Sequence, residues 1–388
     1  MFTIQYLPYF IGLLFILLPA VLLGLQERNL NYYGLSGSFL ILLIVFGSRP
    51  RQLFYLLLSF LWSLLLIKIA LLCSQKAAFS HGIFYFFSML SLLPLIFQNF
   101  LLLQGQVFPV RAAIICFTLK TIQVLFHISR GRIRPFSLGE CTGFLLFFPS
   151  LFLGPLNSSQ EFHCGWNQVP SAQKYRQLLK KGTQELLVGI LYLLFLARIL
   201  SLPIQRLETQ ILLEPSFWRL LFYAYLYAFR LFFILAGFSG IASGCSCLLG
   251  MELRTNFHKP FLSVNILEFW HRWHITFTDW LREFIFSPFM GKYKKSRQFS
   301  CPLLRKCFGY LFTMGMLALI YGITPSSLLF ALYHGLLLCL YEFWKQKVPD
   351  GRLSGKNRLS LFFSWFLTMQ FVIFGFFILS GMFLKIFF

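Results

Sequence analysis

The feature that most constrains this chain is a series of apolar runs, each close to the length that a helix needs to cross a bilayer. A bilayer core takes roughly 20 apolar helical residues. Such runs occupy 8–25, 34–47, 53–73, 82–103, 110–128, 186–202, 217–249, 308–323, 326–344 and 359–388, and the long run 217–249 suits one or two spans. The pattern predicts an all-α, multi-pass membrane protein with about 10 to 12 membrane segments.

Composition agrees with a protein whose solvent is lipid. Of the 388 residues, 58% are hydrophobic and 12% are charged, whereas ordinary soluble chains carry about 25% charged residues. This excludes a soluble enzyme. The 34 basic and 12 acidic residues give a net charge of +22, and the basic residues fall in short runs between apolar stretches. That arrangement is typical of cytoplasmic loops and argues against a nucleic-acid partner. No linker or repeat interrupts the chain, so we expect a single membrane-embedded domain over 1–388.

The nine cysteines are odd in number, lie mostly in apolar stretches and never occur in C-x-x-C spacing. This predicts neither a disulfide framework nor a zinc site, and small packing side chains are the better interpretation. The first apolar run has no Lys or Arg before Arg28 and no small-residue cleavage site. It is typical of a retained helix rather than of a signal peptide.

One apolar piece is too short and too broken to cross. Residues 141–156 are interrupted by Pro149 and by Gly154-Pro155, and basic segments containing Arg134 and Lys174 flank them. If both segments lie on the cytoplasmic face, the piece must enter the membrane and return, which is tolerated where protein or a cavity covers its backbone. We therefore predict a re-entrant loop. In the run 217–249, Ser239, Gly240, Ser243 and Gly244 permit close packing of another helix.

The densest group of polar residues lies at 268–283. If this stretch is one continuous helix, its apolar face carries Trp270, Trp273, His274, Phe277 and Leu281. One interpretation is an interfacial helix whose Trp side chains anchor at the lipid headgroups and whose Arg272 pairs with Glu268. The other is a pocket in which a neutral imidazole acts as general base for a hydroxyl nucleophile.

The same stretch also contains His274 and Asp279 in the H-x-x-x-x-D spacing of glycerolipid acyltransferases. Five residues on an ideal helix place the two side chains about 140° apart. We interpret the spacing as coincidence, because the pairing would need a non-helical start at His274.

Several motifs, in order, resemble the membrane-bound O-acyltransferase family. They are Phe136-Ser137-Leu138-Gly139-Glu140, Phe148-Pro149, Gly154-Pro155, Ala236-Gly237-Phe238-Ser239, Leu249-Gly250, the stretch from Asn256 to Phe261, the stretch from Glu268 to Ile275, Tyr333-His334-Gly335 and Leu379-Ser380-Gly381. The resemblance covers roughly 110–388. Each motif alone is weak, and the joint pattern is specific. Within that family the likeness is to D-alanyl transfer proteins of teichoic acid synthesis and to alginate O-acetyltransferases.

The resemblance implies a ring of helices around a funnel or tunnel. It implies transfer of an acyl group, such as acetyl or D-alanyl, from a cytoplasmic thioester to a hydroxyl of an envelope polysaccharide, polymer or lipid. The donor is a co-substrate, either carrier-protein phosphopantetheine or acyl-CoA, and no bound cofactor is implied. The implied setting is the inner (plasma) membrane with its lipid, an acyl carrier protein on the cytoplasmic side and a periplasmic esterase or transferase partner.

Two positions depart from the family pattern. Tyr321 lies where members usually carry the catalytic His, and Ile234 lies where they usually carry an Asp. We therefore expect His334 or His274 to supply the base, with Tyr321 as hydroxyl donor, and we hypothesise that the two imidazoles approach each other. The expected substrate-binding residues are Trp270, Trp273, Arg272 and Glu268. The alternative is a catalytically impaired member that acts as a binding or assembly partner. A transporter is less favoured, because the expected pair of broken helices in two related halves is missing.

Overall fold

The computed structural model describes residues 2–76, 81–104, 110–131, 137–151, 154–166, 168–293, 301–347 and 358–387. Within these ranges the regular secondary structure is entirely helical, as the sequence predicts. The basic residues at positions 132, 134, 294, 295 and 297, and most of the basic segment between 345 and 358, lie outside the described residues.

The first half of the chain contains both long and short helices. In chain order they are α1 (Phe2–Leu25), α2 (Asn31–Phe46), α3 (Pro50–Lys76), α4 (His81–Ser91), α5 (Leu93–Leu103), α6 (Arg111–Ser129), α7 (Leu138–Leu146), α8 (Phe148–Leu151), α9 (Ser159–Trp166) and α10 (Ala172–Ile190). The short helices α7, α8 and α9 lie between longer helices.

A π-helical turn at Leu191–Leu196 joins α10 to the helices of the second half. These are α11 (Ala197–Leu213), α12 (Phe217–Leu248), α13 (Ile266–Arg272), α14 (Ile275–Leu281), α15 (Ser287–Lys292), α16 (Pro302–Tyr321), α17 (Pro325–Lys347), α18 (Arg358–Leu379) and α19 (Met382–Phe387). A 3₁₀ turn at Pro260–Leu262 precedes α13, and a second π-helical turn at Arg282–Phe286 follows α14.

Among the described residues, eight helical stretches are long and apolar enough to cross a membrane, and two shorter apolar helices are present at Ile11–Leu25 and Asn31–Phe46. The run 217–249 forms one span rather than two, because α12 is continuous from Phe217 to Leu248. Large apolar side chains remain exposed along these helices, for example Phe15 and Leu61. A lipid environment accounts for that exposure, and the chain is a multi-pass membrane protein.

The chain divides into two units. The first comprises Met1–Leu194 and Gly237–Arg254, and the second comprises Phe195–Ala236 and Thr255–Phe388. All nine cysteines are free thiols.

In the first unit, glycines let α10 and the end of α12 touch backbone to backbone. A Cβ on Gly240 would lie 3.0 Å from Gly189 Cα, and a Cβ on Gly244 would lie 2.7 Å from Gly182 O. The close approach predicted from the small residues of α12 is confirmed.

The predicted re-entrant piece forms α7 and α8, of nine and four residues. Both are far shorter than a spanning helix. Lys120 on α6 holds the break between them, because its Nζ donates to Phe144 O at 2.6 Å and to Ser150 Oγ at 2.8 Å. The Lys120 side chain is almost fully buried, so the backbone groups freed by the break have a charged donor inside the protein.

In the second unit, α16 and α17 form a hairpin that a buried acid pins together. Glu342 on α17 accepts hydrogen bonds from Lys306 Nζ and Tyr310 Oη on α16, both at 2.9 Å. This fixes the two helices that carry Tyr321 and His334.

Candidate active site

The N-terminus of α13 is built from polar side chains that cap each other. Asn265 Oδ1 accepts from Glu268 N at 2.8 Å, and Glu268 Oε2 accepts from Val264 N at 2.8 Å. The other oxygen of Glu268 pairs with Arg272 at 2.5 Å, which confirms the pairing predicted at i, i+4 spacing. Glu268 and Arg272 thus have helix-stabilising partners, and substrate binding by either residue stays a prediction.

The continuous helix predicted over 268–283 is wrong. Trp273 has extended dihedrals, and His274 adopts the left-handed conformation with φ 47° and ψ 52°. For a residue with a Cβ this conformation costs about 1 kcal/mol or more. The helix therefore ends at Arg272, and α14 begins afresh at Ile275.

Asn256 explains why the break is stable. Its backbone oxygen accepts from Ile275 N at 2.8 Å, and its Oδ1 accepts from Thr276 N at 3.2 Å and from Thr276 Oγ1 at 3.0 Å. These are the N–H groups that a helix start leaves without intrahelical partners. The segment before α13 therefore caps α14, a task that the side chain of His274 does not perform.

The side chain of His274 therefore makes no capping hydrogen bond to α14. Its ring contacts Phe257 and Phe277 at centroid distances of 5.8 and 5.3 Å, and its Nδ1 is buried without a hydrogen-bond partner. Burial lowers the pKa of His274 to about 4, because an apolar environment disfavours the imidazolium ion. The imidazole is therefore neutral at physiological pH, the form that can accept a proton.

The Trp residues of this segment lie inside the protein rather than at a headgroup layer. Trp270 and Trp273 are 5% and 3% exposed. Trp273 stacks on Phe269 at 5.4 Å and contacts Phe376 at 4.9 Å. The interpretation as an interfacial Trp anchor is wrong, because both rings are buried among other rings of the second unit.

His334 on α17 is isolated from hydrogen-bond partners among the described residues of the second unit. It is 0% exposed, and neither of its ring nitrogens has a hydrogen-bond partner. Its ring contacts those of Phe330 and Trp270, at centroid distances of 4.4 and 5.4 Å. A buried polar atom without a partner costs about 1 to 3 kcal/mol. The two ring nitrogens are therefore open to a hydrogen bond from a ligand or a water molecule.

Gly375 on α18 provides the space for that imidazole. A Cβ at Gly375 would overlap His334 Nε2, so a residue with any side chain would displace the ring. Sequence reasoning missed Gly375 and gave no role to Asn256. The only available signal was a glycine inside an otherwise bulky helix, and it did not identify its partner.

Tyr321 lies at the C-terminus of α16 and contacts Phe277 at 5.6 Å. Phe277 also contacts His274, so a single ring connects the two residues. The rings that contact His274 differ from those that contact His334, and Trp273, which contacts both Phe257 and Phe269, lies between the two groups. The hypothesis predicted that the two imidazoles approach each other, and the described ring contacts do not include one between them. His274 and Tyr321 share a neighbour, and His334 lies against Trp270.

The H-x-x-x-x-D spacing also has a structural outcome. His274 does start α14 in a non-helical conformation, but the carboxylate of Asp279 accepts from Arg282 at 2.8 Å. Two lysines of the basic segments have partners within the protein, because Lys181 pairs with Glu252 and Lys306 pairs with Glu342.

Comparison with known proteins places these features in context. Residues 43–383 match the sequence model of the membrane-bound O-acyltransferase family. A teichoic acid D-alanyltransferase of Bacillus subtilis (strain 168) is 28% identical over 388 residues, which is 96% of each chain. A teichoic acid D-alanyltransferase of Streptococcus thermophilus is 27% identical over 97% of this chain and 92% of its own. A probable alginate O-acetylase of Pseudomonas aeruginosa is 24% identical over 58% of this chain and 41% of its own.

Proposed function

This chain belongs to the membrane-bound O-acyltransferase family, and we propose that it moves an acyl group from a cytoplasmic thioester to a hydroxyl of a cell-envelope polymer. The observation that carries the proposal is His334, a fully buried imidazole with two unpartnered nitrogens. A substrate hydroxyl would supply the hydrogen bond that this group lacks.

The proposed reaction uses the neutral imidazole as base. The acceptor oxygen attacks the thioester carbonyl carbon while the imidazole takes the hydroxyl proton. The C–S bond then breaks, and the imidazolium returns the proton to the departing thiolate. The rings of Trp270 and Phe330 around His334 support this role, because they exclude water and so leave the ring nitrogens for a substrate hydroxyl.

Tyr321 is proposed as the donor that steadies the acyl oxygen. A phenol with a reference pKa near 10 is a poor base at neutral pH and a competent hydrogen-bond donor. Its contact with Phe277, which also contacts His274, supports a shared task for Tyr321 and His274. Trp270 and Trp273 would shape the acyl-binding walls, and Glu268 with Arg272 would hold the helix that carries them.

The acyl group and acceptor are proposed from the relatives. Proteins named for D-alanyl transfer to teichoic acid match nearly the whole chain, whereas those named as alginate O-acetylases match just over half of it. We therefore place D-alanyl before acetyl, and a teichoic acid before alginate as the acceptor. The donor would be a phosphopantetheine carrier or acyl-CoA, delivered on the cytoplasmic face of the inner membrane. A periplasmic esterase or transferase partner remains part of the proposal.

The test is transfer by membranes that contain the protein. Labelled D-alanyl and acetyl thioesters, each on a carrier protein and on coenzyme A, are supplied with envelope polymer, and the ester formed is released by mild alkali and counted. The proposal expects label on the polymer only when the protein is present, with D-alanyl transferred best.

The rival function predicts a different result. A non-catalytic relative, which Tyr321 and Ile234 suggest, would retain the carrier protein on the membrane but transfer no label from any of the four donors. That result would replace the enzymatic proposal with a binding or assembly role.

A further inference from the structure

The indole of Trp270 on α13 carries a polar atom that the fold leaves without a partner. Trp270 is 5% exposed, and its Nε1 is buried with no hydrogen-bond partner in the part of the chain that the structure describes. The rings of Phe269 and Phe330 contact it at centroid distances of 5.8 and 6.3 Å. A phenylalanine could pack among these rings without an N–H group to satisfy, so packing alone does not explain the indole.

Two other tryptophans have the partner that Trp270 lacks. Trp62 Nε1 donates to Leu90 O at 2.9 Å, and Trp365 Nε1 donates to Phe261 O at 2.7 Å. A buried N–H group without an acceptor costs about 1 to 3 kcal/mol. The N–H group of Trp270 therefore points to an acceptor that comes from outside the protein.

This N–H group lies beside a second group in the same condition. The imidazole of His334 meets the indole of Trp270 edge to face, with ring centroids 5.4 Å apart and ring planes 82° apart. His334 is fully buried, and neither of its ring nitrogens is hydrogen-bonded to a described residue. The two rings therefore touch without an N–H···N hydrogen bond between them, and each still needs a partner.

Acyl transfer requires this relationship between a base and a hydrogen-bond donor. A base lies about 2.6 to 3.2 Å from the attacking oxygen, and an oxyanion donor lies about 2.7 to 3.1 Å from the acyl oxygen. In the tetrahedral intermediate both oxygens are bonded to one carbon. The base and the donor must therefore be neighbours that are not bonded to each other, and His334 and Trp270 meet both conditions.

We propose that Trp270 is a further catalytic residue, whose indole N–H donates a hydrogen bond to the acyl oxygen while negative charge develops on it. The proposal rests on the proposed function, in which His334 takes the proton of the acceptor hydroxyl. An oxyanion accepts from more than one donor, so this role adds to that of Tyr321.

The reaction balances without any proton transfer by Trp270. As the acceptor oxygen bonds to the carbonyl carbon, the π electrons of the C=O bond move to the acyl oxygen, where the N–H group stabilises them. When the C=O bond forms again, the C–S bond breaks and the imidazolium of His334 gives its proton to the departing thiolate.

The test removes the N–H group of Trp270 and keeps the ring. Benzothienylalanine, introduced by a suppressor tRNA, has sulfur in place of N–H at nearly the same volume. Transfer in proteoliposomes is measured over a range of concentrations of the thioester that the unaltered protein transfers best. The replacement at residue 270 should lower kcat about 100-fold, the effect of losing one oxyanion donor. KM should be nearly unchanged, because the hydrogen bond strengthens only in the transition state.

Trp62 is the matched control, since its N–H group has a backbone acceptor and no role in the proposed reaction. The same replacement at residue 62 should lower the thermal unfolding temperature by about 2 °C and leave kcat unchanged. At residue 270 the unfolding temperature should not fall, because no hydrogen bond within the protein is lost.

The outcomes separate this proposal from the proposed function. If the unaltered protein transfers no label, the proposed function fails and the role of Trp270 fails with it. If the unaltered protein transfers label and the replacement at residue 270 leaves kcat unchanged, the role of Trp270 alone is overturned. A joint fall of kcat and of the unfolding temperature at residue 270 also overturns it, because the N–H group would then have a structural partner such as a bound water.

Discussion

The imidazole of His334 on α17 packs directly against the backbone of Gly375 on α18, where a glycine leaves room because it has no Cβ. The ring of His334 occupies the space that any side chain at residue 375 would need. Because His334 is also fully buried, its position depends on the partner helix as much as on its own.

Gly375→Ala is therefore expected to destabilise the protein by about 1 to 3 kcal/mol, the usual cost of overpacking, and to reduce acyl transfer. Gly315→Ala is the matched control, because a Cβ at Gly315 on α16 would meet no atom within 4 Å. Thermal unfolding in detergent measures both. In a His334→Ala background the cost of Gly375→Ala should largely disappear, and an unchanged cost would contradict this packing relationship.

Asn256→Ala should destabilise the chain by about 1 to 2 kcal/mol, because Thr276 N and Oγ1 lose their acceptor at the start of α14. Thr276→Val removes only the hydroxyl bond and should cost less. Urea or thermal unfolding of the two variants gives the comparison. Equal losses, or no loss with Asn256→Ala, would mean that the left-handed His274 is held in another way.

Stability should fall in acid because of His274. Burial lowers its pKa from 6.5 to about 4 in the folded chain, so between these values the unfolded chain binds more protons. The contribution is fully present above pH 6.5 and is lost as the pH falls through 4, where the loss of stability reaches about 3 kcal/mol. His274→Asn, which tolerates the left-handed conformation, should flatten the unfolding profile between pH 4 and 7. Burial and the charge of Arg282 also lower the pKa of His271. Because His271 is present in both proteins, its effect cancels in the comparison. Identical profiles would contradict the prediction.

Lys120→Met should lower the free energy of unfolding by about 3 kcal/mol. The carbonyl of Phe144 and the hydroxyl of Ser150 would lose the donor that holds the break between α7 and α8. Lys180→Met is the control at an exposed position. Protease sensitivity of the 138–151 segment should rise with thermal destabilisation in the first variant only. A Lys120→Met protein as stable as the control would remove the structural role of this lysine.

The sequence predicted the helical, multi-pass architecture because apolar length alone specifies a spanning helix. It also predicted the close packing of α12, since small residues show directly where another backbone can approach. The pair Glu268 and Arg272 followed from helix spacing, which is a local property.

The details of the site could not be predicted in the same way. The break at His274 is stabilised by Asn256, eighteen residues earlier, and local periodicity favoured a continuous helix. The unpartnered nitrogens of His334 and the space beside Gly375 arise from two packed helices, so neither helix reveals them alone. Resemblance to the family named the His residues but did not show that different rings contact them, Phe257 and Phe277 for His274 and Phe330 and Trp270 for His334.

The most direct test of the account is the rate of acyl transfer by purified protein in proteoliposomes after His334→Ala, with thermal unfolding to show that the variant is folded. Loss of a general base should lower the rate by at least about 100-fold. His258→Ala, which removes an exposed imidazole while keeping the backbone bond to Arg272 O, should leave it unchanged. Transfer by a folded His334→Ala protein at the unaltered rate would contradict the claim that this imidazole is the base.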